Sequence, residues 1–140
     1  MLETEPKIVD AYVKPGRVKL IFRHILDYGA PSLLASQAAE CAGEQGKFWP
    51  MHELLFQRQD AVWTAKPELF GQWAKADLKI DDGRFASCLS SGKYKSKVEG
   101  IYAAARERGV RVRPTFEINE KHVQGALTFD AFKQIIDALP

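Results

Sequence analysis

The stretch GVRVRPTFEINEKHVQGA, residues 109–126, decides how the rest of the chain is read. Pro114 has no N–H to give a ladder, so it must open its strand, and the apolar run Thr115 to Ile118 follows it directly. Asn119, Glu120 and Lys121 supply a polar turn, His122 to Gln124 return as a second short strand, and Gly125 ends it. An Arg–Pro bond in so tight a lead-in is a candidate for the cis isomer, because the tertiary amide removes most of the trans preference. Local residues alone also allow an ordinary hairpin with a trans proline.

Working outward, Tyr94 to Arg108 predicts a helix with Tyr94, Val98, Ile101, Tyr102 and Ala105 on one stripe. Beyond the hairpin, Thr128 caps a final helix that buries Phe129, Phe132, Ile135, Ile136 and Leu139. Upstream, Glu3 to Val13 can be helical until Pro15 and Gly16 stop it. Val18 to Leu26 reads as a strand, and the run Leu20-Ile21-Phe22 suggests burial on both faces. A helical block follows: Ser32 as N-cap for Leu33 to Cys41, then Phe48 to Gln59, Pro67 to Leu78, and a short helix capped by Asp81 or Asp82 that carries Phe85, Cys88 and Leu89. Two strand regions bracketing about 80 helical residues fit an α/β domain with a helical insertion.

Composition narrows the classes. At 140 residues and 46% hydrophobic the chain fits one domain with a real core. Twenty basic and eighteen acidic side chains leave a formal charge of +2 with no basic stripe, which argues against nucleic acid as a partner. No apolar run reaches the ~18 residues of a membrane span. The first residues show neither a basic nor an apolar signal region, so the sequence read literally is cytoplasmic. There is no Cys-x-x-Cys, and three dispersed histidines offer no zinc spacing.

The pattern Val-x-x-x-Pro114-Thr-Phe-x-Ile-Asn, then Val-x-Gly-Ala and a closing helix, resembles the C-terminal half of DsbA-like thioredoxin-fold proteins. Ser32 to Phe56 is similar to the start of the helical insertion in the thioredoxin_4 kind of that family, and Phe85 to Tyr94 to its later part. The resemblance implies a thioredoxin-like α/β fold, with residues 1–28 and 93–140 as its core and 29–92 as the insertion. It implies thiol–disulfide oxidoreduction on extended polypeptides or a redox partner protein, with no cofactor and no metal, in a family that works mostly outside the cytoplasmic membrane. Pro114 would be cis, and Arg113, Pro114 and Thr115 would shape the substrate side of the groove. Arg113 stands where the family usually has Thr or Val.

The family's first strand and its Cys-x-x-Cys are not in the sequence, so the chain reads as N-terminally truncated and inactive alone; the alternative is a non-catalytic peptide-binding or assembly module. The absent strand would lie between the 18–26 and 114–118 strands, leaving facing edges ~10 Å apart. A second copy covers the gap as a homodimer, the two strands close on each other, or the native protein is longer. Cys41 and Cys88 lie on inward helix faces as buried free thiols or, as in some relatives, a structural disulfide.

Among the remaining side chains, His24 and His52 read as boundary or surface residues and His122 as exposed. Trp49, Trp63 and Trp73 read as core, while Phe48 and Trp49 at a helix start are also placed to line a peptide groove. Arg106, Arg108, Arg111 and Arg113 read as a solvated helix end, where cations suit the dipole.

Overall fold

The computed structural model describes residues 2–139. It divides into two compact units: Arg23–Ala105, and the flanking chain up to Phe22 together with that from Arg106.

The flanking unit is built on its two ends. Helix α1 (Thr4–Ile8) runs into a π-helical turn over Val9–Val13. Helix α8 (Phe129–Asp137) is capped as its sequence predicts, the Ala131 amide donating to Thr128 Oγ1 at 3.2 Å. Ile8 and Tyr12 pack with Phe132 and Ile136, and Val18, Phe116, Ile118, Leu127 and Phe129 close round them. The polar rim of this cluster converges on Asp137, which accepts from the Tyr12 hydroxyl at 3.1 Å, from Arg17 at 3.3 Å and from Lys133 at 2.5 Å. Strands β1 (Thr115–Ile118) and β2 (Lys121–Gln124) form the antiparallel hairpin, with Thr115 opposite Gln124 and Ile118 opposite Lys121. The turn is tighter than the residue types suggested: Lys121 already pairs, and Asn119 takes the left-handed conformation at φ +52° that Asn tolerates.

One element differs outright. Residues 18–26 form no strand; among the described residues the sheet has two strands, β1 and β2. Nor is the segment buried on both faces, because exposure alternates along it and Ile21 is 52% exposed. Among the described residues the run has no ladder partner, and its side chains alternate between half-buried and exposed, with Val18 against the cluster of Ile8 and Tyr12. The two strand regions therefore do not close on each other.

The Arg23–Ala105 unit is helical. Helix α2 (Ala30–Gly43) starts two residues before the expected Ser32 cap: Pro31 sits in the first turn, where its missing N–H costs nothing, and Gly29 at φ +66° provides the bend into it. It packs on α3 (Phe48–Gln57) and on α6 (Asp82–Ser90). The short α4 (Gln59–Val62) leads to α5 (Pro67–Ala76), which packs on α6. Asp81, and not Asp82, caps α6, accepting from the Arg84 amide at 2.8 Å. Helix α7 (Lys95–Glu107) is the last helix before the hairpin. Phe70, Phe85 and Met51 are fully buried, and burial of side chains this size contributes roughly 1.5 to 3 kcal/mol each. No described helix is long and apolar enough to cross a membrane.

Candidate functional site

Pro114 is held from both sides of its backbone. The Gly125 amide donates to the Pro114 carbonyl at 2.8 Å, and the Thr115 hydroxyl folds back to donate to the Val112 carbonyl at 2.6 Å. The Arg113–Pro114 peptide bond is cis. The hairpin register thus fixes Arg113, Pro114 and Thr115 as a tight corner at the head of β1, with Arg113 exposed and the other two half-buried.

The arginines before this corner tidy a helix end. Arg106 Nη1 donates to the Val110 carbonyl at 3.1 Å, while Arg111 Nη1 donates to the Arg106 and Val110 carbonyls at 2.5 and 3.0 Å. Arg108 pairs with Glu117 at 3.0 Å. Arg111 thus reaches one carbonyl in the last turn of α7, that of Arg106, where the dipole favours a cation, and the Val110 carbonyl lies just beyond the helix.

Cys41 on α2 and Cys88 on α6 are joined in a disulfide with Cα atoms 5.8 Å apart, which settles the choice left open by the sequence. Neither cysteine is a free thiol. Both residues are buried, Cys41 at 1% and Cys88 at 6% exposure, within the cluster that includes Phe70, Trp73 and Phe85. Tying residues 47 apart contributes about 4 kcal/mol on the chain-entropy account.

Glu44, the residue that follows α2, lies against this bond. Its Oε1 is 3.8 Å from Cys88 Sγ; the sulfur is bonded to Cys41 and has no proton to donate, so this is a contact and not a hydrogen bond. Lys93 and the Tyr94 hydroxyl both donate to the Glu44 carboxyl, and they hold it below its ordinary value of 4.5. Sequence reasoning passed over Glu44, although the spacing Cys41-x-x-Glu44 puts both on one helical face.

The histidines differ from expectation. His24 is 3% exposed and bonds Glu40 Oε1 through Nε2 at 3.0 Å, while Lys97 donates to Glu40 Oε2 at 2.6 Å. An ionised carboxylate only accepts, so the His24 proton sits on Nε2. Burial lowers the His24 pKa from 6.5, with the Glu40 bond opposing it and Lys97 and His52 adding smaller like-charge effects. His52 is buried too, stacked on Phe48 and edge-on to Phe56. Both look polar in sequence, but each imidazole finds a neighbour that accepts a flat, half-apolar ring. His122 is exposed. Trp73 is core, whereas Trp49 and Trp63 are exposed, Trp63 edge-on to Tyr28 at 4.8 Å. No cluster of metal-ligating side chains occurs among the described residues.

Comparison with known proteins agrees with this geometry. The Thioredoxin_4 family model, described as Thioredoxin, matches residues 1–138. The structure of oxidised BdbD from Bacillus subtilis superposes with a TM-score of 0.84 at 27% identity, over 96% of this chain and 75% of that one. The chain is 28% identical over 137 residues to the protein of Bacillus anthracis named Probable disulfide bond formation protein D, covering 94% of this chain and 62% of that protein. It is also 29% identical over 136 residues to the Na(+)/H(+) antiporter NhaA 3 of Salinispora tropica, covering 96% of this chain but 20% of the antiporter. The chain therefore spans a fifth of one relative and about three-fifths of the other.

Proposed function

The chain belongs to the Thioredoxin_4 family, with a DsbA-like thioredoxin fold, and from that premise we propose that it is the substrate-handling part of a thiol:disulfide oxidoreductase acting on extended polypeptides. The observation that carries this reading is the corner at Arg113, Pro114 and Thr115, a proline leading an edge strand, with the Gly125 amide on its carbonyl and the Thr115 hydroxyl on the Val112 carbonyl. An extended peptide laid along such a corner gains main-chain hydrogen bonds at little ordering cost to the protein.

Dithiol chemistry is a separate matter. Exchange needs an attacking thiolate and a resolving thiol. The 140 residues contain no Cys-x-x-Cys, and both cysteines are committed to one buried disulfide, so by itself this chain binds and does not catalyse. Amide-resolved NMR during titration with a reduced, unfolded polypeptide tests the binding half. Shifts centred on Arg113, Thr115 and Phe116 are expected; shifts that leave these three amides unmoved would contradict it.

A second reading, a non-catalytic peptide-binding or assembly module on the same scaffold, draws on the antiporter similarity, where nearly the whole chain corresponds to a fifth of a protein named for ion exchange. In either case residues 1–28 and 93–140 serve as the thioredoxin core and 29–92 as its insertion. The free edge of β1 and the exposed apolar Ile21 side of the 18–26 segment favour a homodimer in which a second copy covers them. Light scattering would then give about twice the chain mass of 15.7 kDa. A monomer at all accessible concentrations would remove the dimer and leave the binding corner untouched.

A further inference from the structure

We propose that Glu44 guards the Cys41–Cys88 disulfide: its carboxylate stands at Sγ of Cys88, the more exposed of the two cysteines, and keeps external thiolates from opening a bond that serves as a structural tie.

Opening the bond requires a thiolate, RS⁻, from an external thiol. It attacks Cys88 Sγ, an RS–S bond forms, the S–S bond breaks, and Cys41 Sγ leaves with the electron pair as a thiolate. A second RS⁻ then takes the first from the mixed disulfide, giving RSSR and the Cys88 thiolate; the protein gains two electrons and the two external thiols lose them. Two features oppose the first step. The Cys41 thiolate would be released at 1% exposure inside an apolar cluster, where burial disfavours the anion. The attacking anion would meet the Glu44 carboxylate 3.8 Å from its target sulfur.

The placement of Glu44 is not a helix preference. A carboxylate at the C-terminal end of α2 faces the negative end of the helix dipole, where a cation is favoured. It is kept there by Lys93 and Tyr94, both of which donate to it, and its side chain is 22% exposed. Lys93 and, to a smaller extent, Arg84 offset part of the negative field, and Lys93 is itself shared with the Tyr94 ring at 5.6 Å. The dipole end of α2 adds to the field on the carboxylate's side.

The test is the rate at which folded protein is reduced by three small thiols whose thiolate forms differ in net charge, followed by alkylation and mass measurement and corrected to equal thiolate concentration. 3-Mercaptopropionate attacks as a dianion, 2-mercaptoethanol as a monoanion and cysteamine as a neutral zwitterion. Glu44→Gln is expected to speed reduction by mercaptopropionate roughly tenfold, by mercaptoethanol less, and by cysteamine hardly at all, since only a charge effect of this range scales with the attacker's charge. Equal acceleration of all three, or none, would overturn the guard, the first pointing to loosened packing alone. The unaltered protein gives a second readout that does not depend on the variant folding. Its rates should fall from cysteamine to mercaptopropionate more steeply than those of a small neutral disulfide, and a reversed order, with Lys93 drawing anions in, would overturn the proposal as well.

Discussion

At the scale of single residues, the buried imidazole of His24 carries a measurable consequence. Its folded-state pKa lies below 6.5 because burial penalises the charged ring more than the Glu40 bond favours it. Below pH 6.5 the unfolded chain therefore binds more protons at this position than the folded one. The contribution of His24 is complete above its unfolded value and is lost as pH falls through the lower folded value. The groups facing it, Glu40, Lys97 and His52, set how far that value lies below 6.5. In His24→Gln, which keeps a donor toward Glu40 but does not titrate, urea midpoints should decline less than in the parent as pH falls below 6.5. Parallel declines would show that His24 carries no such linkage. Little in the sequence points to this site: a lone histidine after an apolar run looks like a boundary residue until Glu40, sixteen positions on, is brought to it.

At the scale of elements, helices were legible and the first strand was not. Every helix expected from its apolar spacing is present, because the 3.6-residue stripe and the cap are both local. Thr128 and Asp81 could be named as caps from their position before an apolar run, and the hairpin from Pro114, a polar turn and Gly125. The shift of α2 from Ser32 back to Ala30 is a boundary effect of Pro31 in the first turn. Residues 18–26 failed as a strand for a different reason. A strand is completed by a neighbour elsewhere in the chain, and local sequence carries no information on whether one is there. The alternating exposure along 18–24 is what remains of strand character without a ladder. The disulfide between α2 and α6 lay between these cases: inward faces could be read from spacing, while the 5.8 Å approach of the two Cα atoms depends on helix packing.

At the scale of the whole molecule, scaffold and chemistry are separate questions. The family match over residues 1–138 and the superposition on BdbD establish the DsbA-like fold, and a fold by itself does not establish a reaction. The resemblance in the sequence reached this fold through Pro114 and the insertion, and it also pointed to the missing Cys-x-x-Cys. The two cysteines of the chain are buried and joined to each other, with the Glu44 carboxylate 3.8 Å from Cys88 Sγ. The most direct measurement is therefore insulin reduction by the purified 140-residue chain in dithiothreitol, read as the onset of precipitation. The expected onset is indistinguishable from the dithiothreitol background. Clear acceleration above that background, abolished by Cys41→Ala, would mean that the Cys41–Cys88 pair is itself a redox centre and would contradict the account.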